Sequence, residues 1–170
     1  MNSDVRSYLQ KIPASARRPL AARALARIFL LGFIVSLGSL TLDASDRWET
    51  LQAIHWVENP SNDPAPGPHG ELGAYQFRRS TWKSYTTKPF EYARERKHAD
   101  DVAIKHYEWL KRGFERAGVT ATPYRIALAW NAGLTATLKG RAPSSSHRYA
   151  KRVTNIVESL KERTAKTEAQ

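Results

Sequence analysis

The sequence contains no cysteine, and this absence excludes several classes of protein. It rules out a disulfide framework, a lipid attached through cysteine and a cysteine nucleophile. The chain also lacks a Gly-x-Ser-x-Gly turn and a glycine-rich loop that would cradle phosphate groups. With 41% hydrophobic residues among 170, one domain of ordinary size has to be stabilised by an apolar core.

Apolar length is also limited, because the uncharged run at residues 28–42 has 15 residues, which is short for a membrane-spanning helix of about 20. Arg17, Arg18, Arg23 and Arg27 precede the run, and the first acid after them is Asp43. This order is typical of an export signal. Cleavage near Ala44 or Ser45 and retention as a short inner-membrane anchor, with membrane association through the run, both stay open. In either case we expect the residues that follow to lie in the periplasm or cell envelope.

Acidic residues are few compared with basic ones, since the chain has 16 Asp and Glu against 27 Lys and Arg. Residues 1–45 hold six of the basic and two of the acidic residues. The remainder therefore has 27 minus 6, or 21, basic residues and 16 minus 2, or 14, acidic residues. Outside the cytoplasm, this surplus of +7 favours a cell-wall or lipid surface, and no nucleic-acid partner is expected. A basic surface that serves solubility alone would have the same composition.

Beyond residue 46 the sequence predicts mainly helices. The first, from about Arg47 to Glu58, ends because Pro60 removes a backbone donor and disfavours helix at the residue before it. Its apolar positions are Trp48, Leu51, Ile54 and Val57. The stretch "NPSNDPAPGPHGELG" that follows holds four prolines and three glycines and predicts a shaped loop. "GAYQF" then predicts a short extended piece or hairpin edge, and "RRSTWKSY" a brief helix with a hydroxyl cap.

Three longer helical patterns complete the domain. Residues Glu91–Phe114 place apolar side chains at three- and four-residue spacings, which predicts an amphipathic helix that includes His106 on its apolar face. "TPYRIALAWNAG" predicts a helix capped by Thr122 and closed by Gly133. The last helix is expected from near Ser146 with Tyr149, Val153, Ile156, Val157 and Leu160 on its buried face. The predicted organisation is a signal or anchor at 1–45, a domain at 46–160 and a frayed, charged tail at 161–170.

Glu58 is the leading candidate for chemistry. It lies on the last turn of the first helix, where the negative end of the helix dipole favours the protonated form of a carboxyl group. Its spacing from Leu51 and Ile54 turns the side chain toward the apolar face, and the Pro/Gly loop can wall it in. The alternative is an ordinary solvated Glu at a helix end.

Four segments in order carry a resemblance to a known family. They are "AIHWVENP", then "GELGAYQF" with a following "STW", then "ALAWNAG" and finally "RYAKRVTNI". Together they resemble the lytic transglycosylase and goose-type lysozyme superfamily, over roughly residues 46–160. The resemblance implies a lysozyme-like, mainly α domain with a small irregular or β-hairpin segment beside an active-site cleft.

The resemblance also implies roles at the matching positions. Glu58 would be the catalytic acid, Gly73 and Gln76 would shape the cleft, Asn131 would help bind the sugar, and Tyr149 would lie near Glu58. Tyr75 stands where the family has an apolar residue or Met, and is a further substrate-binding candidate. The family usually has Ser where this chain has Asn59. Plain core packing is an equal alternative for Tyr149 and the preferred one for Trp130.

The implied activity is cleavage of peptidoglycan glycan strands between N-acetylmuramic acid and N-acetylglucosamine. In the lyase route one Glu acts as acid and then as base, whereas a lysozyme-type hydrolase needs a second carboxylate. Asp63 and Glu71 are candidates for that group, and each could equally be a turn-forming or solvated acid. A non-catalytic, basic cell-wall-binding module also stays open. No cofactor or metal is expected, because the pair His55 and Glu58 lacks further ligands nearby in sequence.

Overall fold

The computed structural model describes residues 46–168, and helices account for 68% of it. The prediction of a mainly α fold is therefore confirmed. The expected export signal or anchor at residues 1–45 lies outside the described residues. Within the described range, no helix has the length and apolarity needed to cross a membrane.

Six α-helices and one 3-10 helix follow one another along residues 46–168. Helix α1 occupies residues 46–58, and a long loop leads to the short helix α2. The remaining bounds are α2 Arg79–Lys83, the 3-10 helix Phe90–Arg94, α3 Arg96–Arg116, α4 Pro123–Ala132, α5 Leu134–Leu138 and α6 Ser144–Glu168. The sequence did not predict the short helix α5. Its five residues make only about one and a half turns, and none of its side chains is fully buried.

The helices share one apolar core. Helix α4 packs along α6, and its small residues Ala127 and Ala129 are buried, which lets the two helices approach closely. Large, fully buried side chains of the core come from four different helices: Ile54, Trp82, Leu110, Phe114 and Ile126. The end of α1 is held against this core, and Glu58 is held with it.

Most predicted helix ends agree with the structure. Thr122 caps α4 by accepting a hydrogen bond from the backbone N–H of Arg125, and Gly133 closes that helix at a φ of 86°. The predicted hydroxyl cap of α2 is wrong, because Arg78 occupies the cap position and no side chain caps the helix. Helix α6 is continuous to Glu168 through the segment expected to fray.

One predicted burial assignment and one predicted helix start also differ from the structure. Trp48 is 58% exposed rather than part of the apolar face of α1, whereas Leu51 and Ile54 are buried as expected. The amphipathic region that was expected to begin at Glu91 is divided, with the 3-10 helix first and α3 starting at Arg96.

The segment "GAYQF" forms a tight turn. An isolated antiparallel bridge joins Leu72 to Phe77, and the turn between them begins at Gly73 with a φ of 76°. A Cβ atom on Gly73 would lie 1.7 Å from the carbonyl oxygen of Ala93, so the turn approaches the 3-10 helix too closely for any side chain. Gly73 is thus required by both backbone conformation and packing.

We expect Gly73→Ala to destabilise the fold strongly. Gly70 offers a matched control, since it has a φ of 79° but nothing within 4 Å of its would-be Cβ atom. Gly70→Ala should cost about 1 kcal/mol from backbone strain alone, whereas Gly73→Ala should cost about 3 kcal/mol or more, because backbone has to move as well. Urea denaturation measures both values, and equal losses would contradict the packing argument.

Candidate active site

Glu58 borders a cleft with a volume of about 430 Å³. The cleft lies where the end of α1, the Pro/Gly loop, the tight turn, α3 and α4 meet. Its lining residues are Glu58, Pro68, His69, Glu71, Tyr75, Gln76, Phe77, Arg78, Thr81, His106, Trp130 and Asn131. The loop therefore forms part of the wall around Glu58, as its composition suggested.

The carboxyl group of Glu58 is shielded enough to hold a proton near neutrality. Its side chain is half-buried at the last residue of α1, and burial raises its pKa from 4.5 to about 7. The nearby negative charge of Glu71 raises the pKa as well, whereas the hydrogen bond from Tyr149 and the charge of Arg152 lower it. A carboxyl group with this pKa is suited to general acid catalysis at neutral pH.

Tyr149 contacts Glu58 directly, although 91 residues separate them in the chain. Its hydroxyl group donates a hydrogen bond to Glu58 Oε1 at 2.8 Å. When Glu58 is neutral, this contact leaves the acid proton on Oε2. Burial raises the pKa of Tyr149 well above its ordinary value, and the neighbouring Glu58 acts in the same direction. Tyr149 therefore stays a hydrogen-bond donor that orients the acid.

The two candidates for a second carboxylate differ in position. Asp63 is exposed and does not line the cleft; its Oδ1 accepts a hydrogen bond from the backbone N–H of Ala65 at 2.8 Å, so it serves the loop turn. The structure therefore does not bring Asp63 to the cleft that Glu58 borders. Glu71, by contrast, lines the cleft.

Glu71 is held in its ionised form. Burial opposes ionisation, but the backbone N–H groups of Glu71 and His69 and the charges of His69 and Arg78 together lower its pKa below the ordinary value. The His69 N–H donates to Oε2 at 2.9 Å, and Arg78 Nε lies 3.4 Å from Oε1. Below about pH 7, the cleft thus holds one neutral and one charged carboxyl group.

Two of the residues expected to bind substrate have polar groups at the cleft. Asn131 Oδ1 accepts a hydrogen bond from Ser146 Oγ at 2.6 Å, which fixes the amide and leaves its nitrogen as the donor available to a ligand. Gln76 has a positive φ of 45°, and its Nε2 donates to the Gly73 carbonyl at 3.0 Å. Its side chain therefore braces the turn as well as lining the cleft.

The other two candidates have mainly structural positions. Gly73 is buried against Ala93 of the 3-10 helix and does not itself line the cleft. Tyr75 borders the cleft, but it is 2% exposed and its hydroxyl group donates to Asp100 Oδ1 at 2.6 Å. The hydroxyl group is thus engaged by α3.

The rings of Trp130 and His106 form another part of the cleft, although their helical spacing favoured core packing. Trp130 is half-buried and contacts Phe77 at a centroid distance of 5.8 Å, so it packs against the core and lines the cleft at once. His106, assigned to an apolar helix face, also lines the cleft. Burial lowers the pKa of His106 to about 4, and the ring is uncharged at neutral pH. Its position inside the apolar series of α3 was the available signal.

His55 is occupied by contacts other than a metal. Its Nδ1 lies 2.8 Å from Arg96 Nη1, and its Nε2 lies 3.0 Å from Asn62 Oδ1. Because an arginine donates only, Nδ1 must accept and Nε2 must carry the proton. His55 thereby ties the Pro/Gly loop to α3 behind Glu58.

Comparison of the chain with protein-family models, curated proteins and solved structures finds no match. The resemblance to the lytic transglycosylase and goose-type lysozyme superfamily therefore stays a prediction that rests on the ordered motifs. The geometry of the cleft provides a separate line of argument for function.

The burial of Glu58 predicts a specific dependence of stability on pH. Because its folded pKa is about 7 and its ordinary value is 4.5, its contribution is fully present below pH 4.5 and is lost as pH rises to about 7. Glu58→Gln, which cannot ionise, should therefore gain on the order of 3 kcal/mol relative to wild type between about pH 4 and about pH 8. Urea denaturation at both pH values measures this difference. If the difference in unfolding free energy between Glu58→Gln and wild type is the same at both pH values, the carboxyl group of Glu58 is solvated.

Two substitutions should move the pKa of Glu58 in opposite directions. Tyr149→Phe removes a hydrogen bond that lowers this pKa, so the value should rise, and Glu71→Gln removes a charge that raises it, so the value should fall. Titration of the labelled Glu58 carboxyl carbon by NMR reports both shifts. Shifts of the same sign would refute the assignment of neighbours.

Proposed function

We propose that this chain cleaves the glycan strands of peptidoglycan, with Glu58 as the general acid. The observation that carries the proposal is a carboxyl group with a pKa of about 7 at the edge of a cleft of about 430 Å³. Aromatic rings and side-chain amides around that cleft suit a saccharide, which presents apolar faces and many hydroxyl and N-acetyl groups. The ordered motifs and the expected export support the same substrate.

The first step of the proposed reaction is proton transfer. Glu58 donates the proton of Oε2 to the glycosidic oxygen while the bond from that oxygen to the anomeric carbon breaks, and positive charge develops on the sugar ring. Tyr149 keeps its hydrogen bond to Oε1 and stabilises the carboxylate that forms. Arg152, whose charge lowers the pKa of Glu58, also favours that product state.

The second step regenerates the acid. In the lyase route the Glu58 carboxylate takes a proton from a hydroxyl group of the same sugar, and that oxygen bonds to the anomeric carbon. The products are an anhydro sugar and a new chain end, and Glu58 is protonated again. One carboxylate is enough for this sequence. The lyase is therefore the proposed activity.

A lysozyme-type hydrolase is the second candidate, and Glu71 is the observation that favours it. Glu71 lines the same cleft, and its pKa is lowered while that of Glu58 is raised. Two carboxyl groups whose environments separate their pKa values are typical of an acid paired with a nucleophile or base. In this case water would replace the sugar hydroxyl as the acceptor.

Digestion of isolated cell-wall sacculi by the full-length chain tests the proposal. Wild type should release soluble anhydro-muropeptides, and Glu58→Gln should reduce the rate about 100-fold or more, because general acid catalysis is lost. Glu91→Gln is the matched control, since Glu91 is exposed and does not line the cleft. Mass spectrometry identifies the products.

The outcomes separate the candidate functions. Reducing ends together with loss of activity in Glu71→Gln would indicate the hydrolase. Binding of sacculi without release of any product would indicate a non-catalytic module. Equal release by wild type and Glu58→Gln would refute the role of Glu58.

A further inference from the structure

A second groove, which we call the distal groove, lies beside the proposed active-site cleft. Its volume is about 440 Å³, close to that of the cleft itself. It is lined by Trp109, Ala132, Gly133, Leu134, Thr135, Ala136, Lys139 and Arg141. The groove thus combines one aromatic side chain, the backbone and small side chains around the start of α5, and two cations that follow α5 in the chain.

A series of ring contacts links the wall of the cleft to the wall of the distal groove. His106 stacks on Trp109, with a centroid distance of 5.9 Å and an interplanar angle of 12°. The same His106 ring contacts Trp130 edge-on at 4.7 Å. Since His106 and Trp130 line the cleft and Trp109 lines the distal groove, the aromatic series runs from one to the other. The backbone also passes from one site to the other, because Asn131 lines the cleft and the next residue, Ala132, lines the distal groove.

Trp109 has the properties of a stacking platform. It is 41% exposed, although a large aromatic side chain gains stability from burial. One face is supported by the His106 ring, which fixes the indole in place. The neighbouring Gly133 has nothing within 4 Å of its would-be Cβ atom, so that side of the groove is open. A flat, partly apolar ligand can therefore cover the exposed part of the indole.

Two cations that also line the groove indicate the charge of the ligand. Lys139 and Arg141 are both exposed, and within residues 46–168 neither side chain has an ion-pair or hydrogen-bond partner. Arginine pairs with carboxylates through two parallel hydrogen bonds, and lysine acts as a point charge. The groove thus places an aromatic surface and carboxylate-binding groups along one path.

We propose that the distal groove is a remote binding site for the same glycan strand, and that it takes an amino-sugar unit that carries a carboxylate substituent. The sugar ring stacks on Trp109, and the carboxylate pairs with Lys139 and Arg141. This inference rests on the proposed function, because it assumes that a glycan occupies the cleft. It adds a preference for long strands with acidic substituents over short or neutral ones.

Binding measurements with the full-length Glu58→Gln chain test the proposal without cleavage. The probes are peptidoglycan fragments with several disaccharide repeats, single disaccharide units, and neutral chitin oligosaccharides of the longer length. Trp109→Ala should weaken binding of both long probes about tenfold and leave the disaccharide unaffected. The double change Lys139→Glu with Arg141→Glu should weaken the acidic long probe and leave the neutral one unchanged.

Matched controls separate these effects from general ones. Trp48→Ala removes an exposed indole that does not line either groove, and Arg163→Glu with Lys166→Glu reverses two exposed cations on α6. Both controls should bind all probes as the parent does.

Each outcome bears on one claim. If Trp109→Ala binds the long fragments as tightly as Trp48→Ala does, the distal groove is refuted, and digestion of sacculi by the wild type still decides the proposed function. If the parent chain binds none of the probes, the distal site is refuted as well. Loss of neutral and acidic binding alike in the charge-reversed variant would overturn the carboxylate assignment alone.

Discussion

The contact between Glu58 and Tyr149 is the interaction on which the site depends. It joins the last turn of α1 to α6 with a hydrogen bond of 2.8 Å, so the two ends of the domain meet at one carboxyl group. The bond forms because α6 packs on α4 and the core holds the apolar face of α1, with Ile54 fully buried one turn before Glu58. Any change that separates α1 from α6 would therefore rehydrate the acid and lower its pKa.

The chemistry of the cleft follows from unequal environments of two similar groups. Glu58 is desolvated at a helix end, where few groups favour its charge, whereas Glu71 lies on a loop where backbone N–H groups and Arg78 favour the charged form. The charge on Glu71 also raises the pKa of Glu58. The charge on Glu71 thus helps Glu58 to keep its proton up to about pH 7.

Local sequence signals predicted much of the fold. The mainly α class, the capped α4 and the amphipathic α3 follow from periodicity and from residues such as Thr122 and Gly133. The short α5 could not be predicted in this way, because five residues provide too little periodicity. The exposure of Trp48 depends on which elements cover α1, and this is a tertiary property that helical spacing does not contain.

The candidate site also combines features that local sequence predicted with features that depend on tertiary packing. Glu58 was identified from its place at a helix end, but its raised pKa needed the packing that buries it. Gly73 was expected to shape the cleft, but its close approach to Ala93 was not predicted. Ala93 lies 20 residues further along the chain, and no sequence pattern links it to the turn. His106 was hidden inside an apolar series, because a half-buried ring in a cleft and a buried ring in a core have the same spacing.

Asn59, which stands where the resembling family usually has Ser, shows how a departure from a motif can be explained by its surroundings. Its side chain is buried, and its Nδ2 donates to the carbonyl groups of Asp63 at 2.9 Å and Gly73 at 3.3 Å. Its Oδ1 accepts from the backbone N–H of Asp63 at 2.8 Å. A serine hydroxyl has one proton and a shorter side chain, so it could not make all three contacts. The amide therefore fastens both the Pro/Gly loop and the tight turn to the residue next to Glu58, and the wall of the cleft is positioned from the same point of the chain as the acid.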